Sequence, residues 1–116
     1  MRARLLSWQW DGYPEFHRAK LNLWIHIVAV PMFIGSTASF VASLVTMQWV
    51  YAASALGSMV VAFAMQAIGH KREAAPPIPF EGAGDVVSRI FVEQFVTFPR
   101  FFFSGGWWRA MRGVSG

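Results

Sequence analysis

Between Lys20 and Lys71 the chain carries no Lys, Arg, Asp or Glu. A helix that shows one face to water needs polar or charged side chains along that face, and this window offers no charge at all. It divides into two apolar stretches, 23–45 and 49–68, of 23 and 20 residues. About 20 residues carry a helix across the hydrocarbon core of a bilayer, so each stretch is long enough. Thr46-Met47-Gln48 separates them, and so short a connection makes antiparallel neighbours. A buried hairpin in a water-soluble protein is the competing reading. A 116-residue chain has too little left over to cover such a hairpin.

Composition agrees. Only 14% of residues are charged, against about 25% in an ordinary soluble domain. All ten Lys and Arg lie outside the hairpin: Arg2, Arg4, Arg18, Lys20, Lys71, Arg72, Arg89, Arg100, Arg109 and Arg112. The positive-inside rule then predicts an integral membrane protein with both termini cytoplasmic. The net charge of +4 contains no basic run of the kind nucleic-acid binders use, so no nucleic-acid partner is expected. With no cysteine, disulfides and thiolate metal sites are excluded. The charged first twenty residues lack the apolar core of a cleavable signal, so the first span is expected to direct insertion.

Local signals refine this outline. Trp24, Trp49 and Tyr51 fit interfacial aromatic belts. Small residues, Gly35, Ser36, Ala38, Ser39, Ala42 and Ser43 against Ala52, Ala53, Ala55, Gly57 and Ser58, would let the two helices approach closely. Pro31 would kink the first span. Ala74-Ala75-Pro76-Pro77-Ile78-Pro79 cannot continue a helix, and Asp85 is a candidate N-cap for the next one. Over 85–103, Asp85, Arg89, Glu93, Thr97 and Arg100 form a polar stripe opposite Val86, Val87, Ile90, Phe91, Phe95, Val96, Phe98 and Phe102. That pattern predicts an amphipathic helix lying in the interface, with packing on the cytoplasmic end of the hairpin as the alternative and a bend at Pro99. Trp107, Trp108, Arg109 and Arg112 suit anionic headgroups. The predicted fold is an all-α membrane protein forming one domain over 1–116. It is a two-helix transmembrane hairpin with a C-terminal amphipathic interfacial helix.

Three histidines are the candidate chemistry. His26 lies about one turn into the first span and His70 just past the second, so an antiparallel hairpin sets them at one depth. His17 precedes the first span. Nine residues, about 2.5 turns, separate His17 from His26; one straight helix would point them apart, so a break near Lys20 is needed for convergence. Imidazole suits iron, zinc and copper. Glu15 and Glu73 are nearby carboxylates. Asn22 and Gln66, polar residues beside or within apolar spans, are expected to face the interior and to support the imidazoles. Interfacial histidines need no metal, and spacing alone leaves both readings open.

The motifs carry a further signal. Tyr13-Pro14-Glu15-Phe16-His17, with Asn22, His26 and Pro31, precedes Gln66-Ala67-Ile68-Gly69-His70, Glu73 and Pro76. The pattern resembles the 2-hydroxy fatty acid dioxygenases, small iron-dependent membrane proteins of fatty acid α-oxidation, over about residues 13–79. The resemblance implies Fe(II) held by His17, His26 and His70, which would be catalytic, with Glu73 as a further metal ligand. It implies one-carbon shortening of a 2-hydroxy fatty acid in the lipid bilayer. The chain departs from the family in having one residue fewer between His70 and Glu73, fewer histidines and a shorter body. Lys71 or Arg72 would receive the substrate carboxylate at headgroup level. The alternative is a non-catalytic small subunit of a larger membrane complex, or a homo-oligomer, with the aromatic stripe from Phe91 to Trp108 as contact surface. A lipid-binding or membrane-shaping hairpin would need no histidines.

Overall fold

The computed structural model describes residues 3–113; Arg2 lies outside them. The described residues form helices only. These are α1 (Leu5–Phe16), α2 (Lys20–Val45), α3 (Trp49–His70), α4 (Ala83–Val92), a π-helical segment (Glu93–Thr97), α5 (Phe98–Phe103) and α6 (Gly106–Met111).

Helices α2 and α3 are each long and apolar enough to cross a membrane. They pack along one another, joined by residues 46–48. The turn closes through Gln48 N–H donating to Ser43 O at 2.8 Å, with Met47 in the left-handed region at φ 55°. Along α3 the buried residues are Ala52, Ala55, Ala62, Gln66 and Gly69, spacings of three, four and seven that keep one small-residue face against α2. The helices approach closely at Gly69, where a Cβ would lie 2.2 Å from Asn22 Oδ1. Gly35 and Gly57, expected along this seam, face open space. Outward residues remain apolar: Val45 is 74% exposed and Val50 is 78% exposed.

The helical stretch 83–103 packs over the end of the pair that carries the α2 N-terminus, with α1 beside it. Its polarity is the reverse of a helix whose polar face meets water. Asp85, Gln94 and Thr97 are buried, whereas Val87, Phe95 and Val96 are exposed. Asp85, Gln94 and Thr97 thus face protein, while Arg100 of the same stripe stays exposed. Asp85 is not the N-cap. Gly82 holds that position, and Asp85 reaches back from the first turn to accept from Glu81 N–H at 3.0 Å. The π-helical turn inserts one residue just before Pro99, which has no N–H to continue the regular ladder. This insertion lets the adjacent residues Glu93 and Gln94 both face inward.

Trp107 is also turned inward. It joins Tyr13, Leu23, Val30, Phe98 and Phe101 in one buried cluster that ties α1, α2, α5 and α6. Its Nε1–H donates to Leu23 O at 2.9 Å. Only Trp108 of the pair is left at the surface. Gly105, at φ 89°, makes the left-handed turn that reverses the chain from α5 into α6.

Candidate metal centre

Each histidine reaches the centre by a different local device. Helix α1 stops at Phe16, and residues 17–19 are not helical. This break swings His17 back over the end of α2. His26 sits nearly two turns into α2, and His70 is the last residue of α3. The ring centroids lie 4.8, 4.8 and 5.1 Å apart, with interplanar angles of 88°, 81° and 88°. The three rings stand nearly perpendicular to one another around a common point.

A fourth group closes the site, and it is Glu93. Its Oε2 lies 3.3 Å from His17 Nε2 and 3.4 Å from His26 Nε2. One ligand atom from each of His17, His26, His70 and Glu93 falls within 4.8 Å of the others. Glu73 is elsewhere. Its carboxylate accepts from Arg18 N–H at 2.9 Å, Ala19 N–H at 3.1 Å and Asn22 Nδ2 at 2.7 Å. Glu73 thus caps the N-terminus of α2, where the helix dipole favours negative charge. Glu15 is exposed.

Tautomers follow from the partners. Nδ1 of His17 lies 2.9 Å from Tyr13 O, and Nδ1 of His26 lies 3.0 Å from Asn22 O. A carbonyl only accepts, so both Nδ1 atoms donate. A neutral ring then presents an Nε2 lone pair inward, and neither Nε2 has a hydrogen-bond donor or acceptor of good geometry. His70 adds a buried Nδ1 without a partner. Burial pushes His17 below the usual imidazole value, against the pull of Glu93. Burial also pushes Glu93 up, but the two imidazoles beside it outweigh burial and hold its carboxyl well below the usual range. A neutral ring whose Nδ1–H is committed to a carbonyl offers Glu93 a lone pair rather than a proton, so the contacts that hold its carboxyl low need a ring proton or a cation at Nε2. A cation between them meets that need, and fixing Nδ1 on a backbone carbonyl is how proteins orient metal-binding imidazoles. The donor set therefore fits a divalent metal of the imidazole and carboxylate class.

Tyr13 supports the centre from α1. Its ring stacks on His17 at 3.7 Å between centroids, and its hydroxyl donates to Glu93 Oε2 at 2.8 Å. Burial, then the Glu93 charge, pushes the phenol well above its ordinary value, so it stays a donor. Gln66, expected beside the imidazoles, instead pairs with Gln94 through two amide hydrogen bonds of 2.8 and 2.7 Å. Gln9 accepts from the Thr97 hydroxyl. These amide contacts clamp the π-helical turn to α3 and α1, which fixes Glu93. Asn22 serves the site through its backbone carbonyl, while its side chain serves Glu73.

A cleft of about 830 Å³ opens beside the cluster, and His17, His70, Glu93 and Lys71 line it. Arg72 does not line it. No family model, curated protein or solved structure matches the chain.

Proposed function

We propose that this protein is an iron(II)-dependent membrane dioxygenase that shortens 2-hydroxy fatty acids by one carbon. The observation that carries the reading is the buried convergence of three imidazoles and one carboxylate, with two imidazole Nε2 atoms aimed at the carboxylate and left without donors. His17, His26, His70 and Glu93 would hold the metal. Bound iron(II) supplies O2 activation.

The chain's own residues supply the rest. Tyr13 holds Glu93 in place through its hydroxyl. The carbonyls of Tyr13 and Asn22 keep the ring lone pairs inward. Lys71, at the rim, draws the substrate's carboxylate, and Phe98 and Phe101 exclude water behind the cluster. In the reaction the C1–C2 bond breaks. The substrate gives up four electrons to one O2, and its three oxygens with the two of O2 leave as the shortened fatty acid, carbon dioxide and water. No further reductant is required. We place α2 and α3 across the bilayer with the cluster and both termini on the cytoplasmic side, because the Lys and Arg residues gather at that end.

The test is to purify the protein without oxygen, measure iron per chain, and follow conversion of a 2-hydroxy fatty acid under O2. One iron per chain and release of the shortened acid are expected. Protein that takes up no iron, or that binds iron and leaves the acid unchanged, overturns the reading.

A further inference from the structure

We propose that the cleft beside the cluster is an acyl-chain channel, open sideways to the membrane, that takes a single-chain carboxylate amphiphile with its head at the His/Glu cluster. The identity of the head-binding end rests on the function proposed above; the course of the chain rests on the cleft alone.

The first argument is register. Phe63, Ala67, His70 and Lys71 all line the cleft from α3, and their spacing places them on one face of that helix. Seven residues separate Phe63 from His70, which is about 10 Å along a helix at about 1.5 Å per residue. The cleft therefore starts at the charged rim and runs down α3 into the apolar span. A fatty acid in a bilayer has the same polarity, head at the interface and tail toward the centre.

The second argument is the opening. Helix α3 packs along α2 and touches α1 and α4 only marginally, so the side of the cleft toward the hydrocarbon is not sealed by helix packing. Gly12 and Phe16 of α1 form the facing wall, with Ile78 of the proline-rich loop. The loop is fixed and does not collapse into the space. Arg89 donates to Ile78 O at 2.8 Å and to Pro79 O at 3.2 Å, and its guanidinium lies 4.3 Å from the Phe80 ring centroid. With Arg89 committed to the loop, Lys71 is the cation left at the rim, and among the described residues no carboxylate pairs with it. The volume lies within the range of about 300–1,000 Å³ typical of small-molecule sites.

The experiment uses the full chain in phosphatidylcholine nanodiscs and a 2-hydroxyhexadecanoic acid bearing a diazirine at mid-chain, level with Phe63 when the carboxylate is at the cluster. After irradiation, labelled peptides are mapped with and without excess unlabelled acid. Labelling that the unlabelled acid displaces is expected at Phe63 and Ile78. Ala67→Trp fills the cleft at an exposed position, and is expected to cut that displaceable labelling at least tenfold while metal content stays unchanged. Displaceable labelling absent from these positions, or unaltered by Ala67→Trp, overturns the channel. The two proposals fail separately. Iron-free protein that still labels at Phe63 sinks the oxygenase and keeps the channel, whereas iron-loaded, active protein without displaceable labelling does the reverse.

Discussion

Replacing Glu93 and Glu73 one at a time separates two carboxylates that are alike in the sequence and opposite in role. Glu93→Gln keeps the size of the side chain and one oxygen that can accept from Tyr13, but it removes the charge that faces His17 and His26 at 3.3 and 3.4 Å. Removing a partner behind a metal ligand typically costs about 10–100-fold in affinity. Glu93 is placed to bind the metal itself, so the loss should reach at least about 100-fold. Glu73→Gln should act on stability instead. Three donors converge on Glu73, from Arg18, Ala19 and Asn22, and an amide cannot accept all of them. Losing one hydrogen bond to a charged acceptor costs about 1.5–3 kcal/mol, which should appear as a lower unfolding temperature. Metal affinity should stay within about threefold, or about 0.7 kcal/mol at about 1.4 kcal/mol per tenfold. Chelator competition measures the first quantity and thermal unfolding in detergent the second. Metal loss in Glu73→Gln with retention in Glu93→Gln would refute the assignment.

Other outcomes follow from the same geometry. Gly69→Ala puts a methyl 2.2 Å from Asn22 Oδ1, so Asn22 must move and the variant should lose about 1–3 kcal/mol; unchanged thermal unfolding would contradict the close helix approach. The His17 ring should remain neutral in metal-free protein at pH 6.5, because burial lowers its pKa. The folded state then binds fewer protons than the unfolded one, whose imidazole titrates near about 6.5, so stability should fall as pH drops below that value. Imidazole NMR shifts against pH check this, and a His17 midpoint at or above 6.5 would count against it. Trp107→Ala should cost about 3–5 kcal/mol, because the ring is fully buried and its Nε1–H is bonded to Leu23 O; a loss below about 1 kcal/mol would show that α6 is not anchored there.

The long helices were legible because charge is expensive in hydrocarbon, and fifty consecutive residues without it leave few alternatives. The convergence of the histidines was partly legible. Helical register sets His26 and His70 level, and opposite facing of His17 on a continuous helix demands the break seen at residues 17–19. The carboxylate was not legible by proximity. Glu73 is three residues from His70 in the chain, yet its nearest good donors are the free N–H groups at the start of α2. Glu93 was visible only as one member of an i, i+4 stripe that read as a solvent-facing surface. The signal that points to it is the company it keeps. A polar stripe on a helix whose other face is Val and Phe, in a chain with two helices long and apolar enough to cross a membrane, has its cheapest exit toward protein. The π-helical insertion has no periodic signature, so the inward turn of both Glu93 and Gln94 could not be read from spacing.

The order of the four groups along the chain has a consequence for biosynthesis. Three imidazoles are supplied by residue 70, but the carboxylate arrives 23 residues later, on a segment that must fold back over helices already in place. At about 5–20 residues per second, a ribosome takes on the order of one to five seconds to cover that interval. During it, the chain has its three imidazoles and not yet the carboxylate that faces them. Completion of the cluster is thus tied to the docking of the last helices, and a chain stalled before residue 93 has the three imidazoles with nothing to close them.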